Sequence, residues 1–226
     1  NKVVPSKLSM IGKRFRDDMN SRSSKYKVEI GPAFRFGHLW ETQDLKDQDQ
    51  DQDSFIVLVA GSIFFDESIN IIKLAISSIN RIKSNGIKLF IKVHPTMNIE
   101  NFKNHIGNEW SQYINDAQDM DSQMIPDLII SGMSSFGLEA IGSGIPVILI
   151  ESMIGLPYNP IPETVPNILW RKCRSSKEIS SAIDYFRNHS NEEIHKNRVL
   201  STTIKKDYFE PVTKEGVYRL LDFSIN

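Results

Sequence analysis

Residues 127–151 read DLIISGMSSFGLEAIGSGIPVILIE, and that order leaves the chain few folds to adopt. LIIS and VILI are strand-length runs with almost no polar side chain, the mark of strands buried on both faces. Between them lie a small-residue turn, SGMSS, and a helical segment, FGLEAIG. Gly142 or Gly144 supplies a left-handed cap there, and Pro146 stops the helix. Two buried strands joined through a crossover helix lie side by side in a parallel sheet, because a tight hairpin cannot connect parallel neighbours.

The same alternation begins at residue 55. FIVLVA (55–60) is another continuous apolar run, rich in β-branched residues. Ile69, Ile72, Leu74, Ala75, Ile76, Ile79 and Ile82 then follow helical spacing over 66–84, with Asp66 or Ser62 as the cap and Asn85-Gly86 as the end. Further strands are expected at 87–93 and 145–150, a weak one at 112–115 and a short one at 168–170. Helices are expected at 99–106, 136–142, 177–187, 191–206 and 214–223. This order defines an α/β protein, a Rossmann-like parallel sheet with helices on both faces, followed by C-terminal helices. Ligands in such sheets bind at the carboxyl ends of the strands. The turns that matter are therefore Gly61-Ser62, His94-Pro95, 131–135 and 151–157.

Upstream of residue 55 the chain is different. It is polar, with one short alternating run at 27–30, then Gly31-Pro32 and an aromatic-basic patch of Phe34, Arg35, Phe36, His38 and Trp40. DLKDQDQDQDS (44–54) cannot bury anything and is read as a solvated loop or linker. The expected division is thus 1–54 as an N-terminal extension and 55–226 as the ligand-binding domain. Lys and Arg total 27 against 28 Asp and Glu, a net charge of −1, which gives no general reason to bind nucleic acid or an anionic membrane. The single cysteine, Cys173, permits neither an internal disulfide nor a cysteine zinc cluster, and a reducing, cytoplasmic location is expected. No apolar run has the length of a transmembrane helix, and no signal peptide is visible. The chain begins at Asn1 without Met, so a piece of a longer protein is expected.

Several residues carry chemistry. The turn 131–135 leaves a buried strand and opens a helix, whose first N–H groups and dipole favour an anion. Gly132 lets the backbone turn tightly, and Ser134 and Ser135 add hydroxyl donors, so the turn suits a phosphate. Read alone, the serines are more simply N-caps. Glu139, one turn along, either complements the helix dipole or accepts from ribose hydroxyls, as acidic residues do in dinucleotide folds. His94 stands where the second strand meets its loop, with Pro95 holding it extended; it can donate to a phosphate or serve structure alone. Lys92 is a solvated lysine or a weaker cationic candidate. A G-x-x-x-x-G-K-[ST] loop, a G-x-G-x-x-G fingerprint and a G-x-S-x-G elbow are all absent. Glu192, Glu193 and His195 lack a further ligand at metal spacing, so no metal site is assigned.

Taken in order, KVHP (92–95), SGMSSFGLEAIGSGIPVIL (131–149) and the weaker DYFEPVT (207–213) resemble the C-terminal, nucleotide-binding domain of GT-B-fold glycosyltransferases. The likeness is to the bacterial surface and capsular polysaccharide group, sialyltransferase-like and CDP-glycerol-transferase-like, and it covers about 55–223. It implies that His94 contacts and stabilises the donor phosphate. Ser134 and Ser135, with Gly132, would bind phosphate, and Glu139 the ribose. Gly61 and Ser62 would lie on the loop facing the interdomain cleft. It implies a nucleotide-sugar donor as substrate, CMP-linked or another nucleoside-diphosphate-linked sugar, and no cofactor. The catalytic residues stay unassigned, because GT-B enzymes place the acceptor site and usually the base in an N-terminal domain for which 1–54 has no room. A saccharide acceptor would then reach the site through a further domain or partner chain. The full enzyme could associate peripherally with a membrane.

Two other functions fit the residues. One is a nucleotide-sugar 2-epimerase of the related non-hydrolysing type, which needs extra carboxylates that are not evident here. The other is a non-catalytic interaction module using Phe34–Trp40, with the serines as caps and His94 structural.

Overall fold

A computed structural model describes residues 5, 7–22, 25–41, 54–82, 86–107, 125–151 and 159–221. The chain forms two compact units, one of residues 1–44 with 199–226 and the other of residues 45–198.

The larger unit holds a five-stranded sheet of β3 (Phe55–Ala60), β4 (Ile87–Lys92), β5 (Leu128–Ser131), β6 (Val147–Ile150) and β7 (Trp170–Cys173). The strand order is β4-β3-β5-β6-β7, and every neighbouring pair is parallel. Helices α3 (Phe65–Ile82), α4 (Ile99–Ile106), α5 (Phe136–Gly142) and α6 (Ser176–Arg187) connect and cover the strands. The α/β class and parallel sheet read from the sequence are therefore observed.

One face of the sheet carries Val57, Val59, Ile91, Leu128, Ile130, Ile148 and Cys173, packed with Ile71, Ile72 and Ala75 of α3, Phe102 of α4 and Ile179 and Ile183 of α6. Strand residues alternate faces, so Leu58, Ile129, Val147 and Leu149, also buried, line the other side. Burying one such side chain fully contributes about 1.5–3 kcal/mol, which is why strands apolar throughout occupy the middle of the sheet. α5 ends in a complete Schellman cap. Gly144 has φ of 85°, its N–H donates to Ile141 O at 2.9 Å, and Ile145 N–H donates to Ala140 O at 3.0 Å. Of the two glycines expected to cap this helix, Gly144 does so.

Cys173 lies on the core face at 3% exposure, and burial, reinforced by Glu178, pushes its thiol up to about 11. Since the thiolate is the reactive form, the native protein is expected to resist Ellman's reagent at pH 8. Unfolding in urea should release one reactive thiol per chain. Full modification of the native state would contradict this packing.

The smaller unit contains β1 (Lys7–Met10), α1 (Lys13–Arg22), β2 (Lys27–Ile30), α2 (His38–Glu41) and a single 3-10 turn at Phe34–Phe36. β1 and β2 pair in parallel, with Lys7 opposite Lys27 and Met10 opposite Ile30. The chain continues through α7 (Asn191–Tyr208) and ends its described part with α8 (Lys214–Leu220). Phe209, 2% exposed, stacks against Phe36 with ring centroids 4.7 Å apart. Glu210 N–H donates to Ile11 O at 2.7 Å, and Ala33 N–H donates to Glu210 O at 2.9 Å. The DYFEPVT segment is thus stitched into the N-terminal residues. Where the sequence suggested an extension over 1–54 and one domain over 55–226, the residues from 199 onward instead group with the N-terminal segment.

Phe36 of the aromatic-basic patch is buried, as is the neighbouring Leu39, and Trp40 sits under Lys205 Nζ at 5.1 Å from its ring centre. Only Phe34 of its aromatic residues is largely exposed, at 57%. Within the patch Phe36 is therefore core of the smaller unit, whereas Phe34, Arg35 and His38 are exposed. The strand expected at 112–115, the Asp/Gln-rich 44–53 and most of the turn at 152–157 lie outside the described residues.

Candidate functional site

The sheet order marks one edge as the place to look for a site. From β3 the chain crosses through α3 to β4 on one side, while β5 pairs with the other side of β3. The winding direction reverses between β3 and β5, and in open parallel sheets ligands bind just there, beyond the carboxyl ends. The three turns leaving β4, β3 and β5 meet at this edge, and they carry six of the seven site residues read from the sequence.

The turn leaving β3 is Gly61-Ser62. Gly61 N–H donates to Lys92 O at 2.9 Å, carrying the β3–β4 pairing one residue past the strands. A Cβ on Gly61 would lie 3.2 Å from Ser68 Oγ and 3.6 Å from His94 N, so the first and second turns touch. Ser62 is 8% exposed. Its hydroxyl donates to the Glu67 carboxylate and accepts from Phe64 N–H at 3.2 Å, while Ser68 Oγ donates to Ser62 O at 2.8 Å. Ser62 thereby organises the start of α3, and Asp66 lies inside the helix.

Glu67 was not singled out by the sequence, where a carboxylate in a first helical turn looks like a response to the helix dipole. Its Oε2 takes the Ser62 hydroxyl, and its Oε1 is buried with no hydrogen-bond partner among the described residues. That carboxylate lies against the third turn: a Cβ on Gly132 would come within 3.0 Å of Oε1 and 2.6 Å of Ile71 Cδ1. Gly132 does not have positive φ; among the described residues Gly86, Gly107 and Gly144 do. The reason for glycine at 132 is the close approach of α3, and not the backbone freedom that the sequence suggested.

The rest of this turn divides the two serines. Ser134 Oγ accepts from Phe136 N–H at 3.2 Å, and Ser134 O accepts from Gly137 N–H at 3.2 Å, so Ser134 performs capping. Ser135 starts α5 in helical conformation without a side-chain capping bond, and it is exposed. Ser131, 1% exposed, has its Oγ buried without a partner among the described residues. Glu139 lies one turn into α5, half-buried, its N–H donating to Ser135 O at 3.2 Å.

The turn leaving β4 is His94-Pro95-Thr96-Met97. Met97 N–H donates to His94 O at 2.9 Å, closing a β-turn with proline in its second place. His94 Nδ1 lies 2.8 Å from Thr96 Oγ1 and 3.3 Å from Thr96 N. Lys92 is exposed at the end of β4. Further along the edge, Glu151 pairs with Arg174 and with Lys172 at 3.5 Å. The bond from Arg174, more than the charge of Lys172, holds the Glu151 carboxyl below its ordinary range. Among the described residues no group of three or more His, Cys, Asp or Glu could hold a metal ion. No helix among them is long and apolar enough to cross a membrane.

Neither a family model nor a curated protein matches this sequence. Solved structures do share its architecture, which is that of one GT-B half, a parallel α/β sheet with C-terminal helices. MnaA of S. aureus, solved with UDP, matches with a TM-score of 0.62 at 11% identity, over 96% of this chain and 61% of that one. A variant of the wall teichoic acid polymerase TagF matches at 0.54 and 13% identity, over 95% of this chain and 56% of that one. A Listeria monocytogenes protein described as a UDP-N-acetylglucosamine 2-epimerase matches at 0.55 and 11% identity, over 93% and 56%. The chain thus spans between 56% and 61% of the length of these three proteins. At such identities the likeness is one of fold.

Proposed function

We propose that this chain is the donor-binding part of a glycosyltransferase that takes a sugar from a nucleotide-activated donor in surface polysaccharide biosynthesis. The observation that carries the reading is the meeting of the His94, Gly61-Ser62 and Gly132–Ser135 turns at the point where the sheet winding reverses. In this reading the start of α5 and Ser135 receive the donor phosphate. His94 donates to it from the adjacent strand end, and Glu139 takes the ribose hydroxyls. Ser62 acts through its backbone and through Glu67, since its hydroxyl is already bonded. These groups stabilise the negative charge that gathers on a leaving nucleotide, a role for preorganised donors that needs no cofactor. The acceptor and the catalytic base would come from a further domain or partner chain. The short β1–β2 sheet, whose strand residues are all at least partly exposed, is in this reading the margin of a larger sheet.

Calorimetry with CMP, CDP, UDP and GDP tests the proposal. Binding of at least one at micromolar to millimolar concentration is expected, and no heat from any of them at millimolar concentration would remove it. A 2-epimerase is the second reading, favoured by the fold likeness to MnaA and the Listeria protein. Incubation with UDP-N-acetylglucosamine and analysis for the 2-epimer separates the two.

A further inference from the structure

We infer that Thr96 is a positioning residue for His94, fixing the imidazole in the tautomer that carries its proton on Nε2. Its functional consequence rests on the donor-phosphate reading of His94; the tautomer itself rests on the turn alone.

A neutral imidazole has one N–H and one bare nitrogen, and its neighbours decide which is which. A backbone N–H can only donate. Thr96 N–H faces Nδ1 at 3.3 Å, a long bond that biases Nδ1 toward accepting, and the Thr96 hydroxyl at 2.8 Å donates to the same atom and supplies the stronger part of that bias. Among the described residues Nε2 meets no hydrogen-bond partner, so the ring proton is presented on the far side of the ring from the turn. That is the atom a donor phosphate would meet.

The local sequence builds this arrangement. Proline holds φ near −65°, which suits the second place of a β-turn. The Met97 N–H to His94 O bond of 2.9 Å closes that turn. The third residue is then folded back under the side chain of the first, as when Asn or Asp accepts from the backbone two residues on. The hydroxyl has a second use. In the doubly protonated ring Nδ1 is also a donor, and a backbone N–H cannot receive it. A threonine hydroxyl can rotate and accept, so it serves the ring in both protonation states. Valine keeps the shape of threonine and the backbone N–H but loses this function; serine keeps it.

The test uses the full chain, ¹⁵N-labelled, with Thr96→Val and Thr96→Ser beside the wild type. Long-range ¹H–¹⁵N spectra of His94 should show Nε2–H as the main neutral tautomer in the wild type and the serine variant, with a larger Nδ1–H share in Thr96→Val. Affinity for whichever of CMP, CDP, UDP or GDP binds should fall about three- to tenfold in Thr96→Val, the worth of one neutral hydrogen bond, and recover in Thr96→Ser. A wild-type tautomer balance in Thr96→Val overturns the inference, as does a serine variant that behaves like valine. If the wild type binds no nucleotide, the donor reading falls, and the spectra alone decide the role of Thr96.

Discussion

Gly132→Val is expected to destabilise the fold by about 3 kcal/mol or more, the upper end of what forced overpacking costs. The first added carbon already collides, since a Cβ would lie 2.6 Å from Ile71 Cδ1 and 3.0 Å from Glu67 Oε1. Both neighbours are side-chain ends, and each is held in place. Ile71 is 0% exposed and belongs to the main core cluster, and the Glu67 carboxylate is held by the Ser62 hydroxyl. A close-packed interior transmits such a displacement instead of absorbing it. Relief requires the ends of the Ile71 and Glu67 side chains to shift against their packing and the Ser62 bond, or α3 to move away from the turn. Gly132→Ala should cost less, about 1–3 kcal/mol, and keeps the comparison measurable if the valine variant does not fold. Urea unfolding followed by circular dichroism reads both. An alanine variant with the wild-type midpoint would mean that α3 does not press on this turn.

His94→Ala should weaken nucleotide binding about tenfold to a hundredfold, the worth of one hydrogen bond to a charged group. It should leave the unfolding midpoint nearly unchanged. The ring is only half-buried, and its hydrogen bonds are to Thr96 within its own turn, so folding rests little on it. This contrast separates a ligand contact from a structural histidine. His94→Gln, which retains an N–H donor, should fall between alanine and wild type. Equal affinity in His94→Ala and in a nucleotide-binding wild type would remove His94 from the site and leave the phosphate to α5.

Much of the larger unit was legible in the sequence, and the reason is burial. Phe55–Ala60, Leu128–Ser131, Phe136–Gly142 and Ile99–Ile106 form at the expected boundaries, because their apolar patterns have one structural solution. β7 was placed too early. The apolar Ile168-Leu169 drew the assignment, whereas the strand itself is WRKC at the sheet edge, where polar residues are tolerated. β1 and α1 were missed because they carry little apolar signal; no residue of α1 is buried. The turns that carry the candidate residues were legible from the strand ends they follow. Their supports were not legible, because the Glu67–Gly132 approach joins residues on separate elements. The Thr96–His94 contact lies within four residues, yet a threonine after proline carries no pattern of its own.

The stitching of Glu210 between Ile11 and Ala33 sets an order in time. A ribosome releases residue 11 long before it has made residue 210, so the N-terminal β-α-β segment must wait, only partly bonded, while the rest of this sequence is synthesised. The five-stranded sheet has no such debt, since all its strands lie between Phe55 and Cys173. During synthesis the five-stranded sheet can therefore close first, and the smaller unit assembles around its own late-arriving strand of chain. A nascent chain stalled near residue 200 would hold a protease-resistant sheet and an N-terminal segment still open to cleavage.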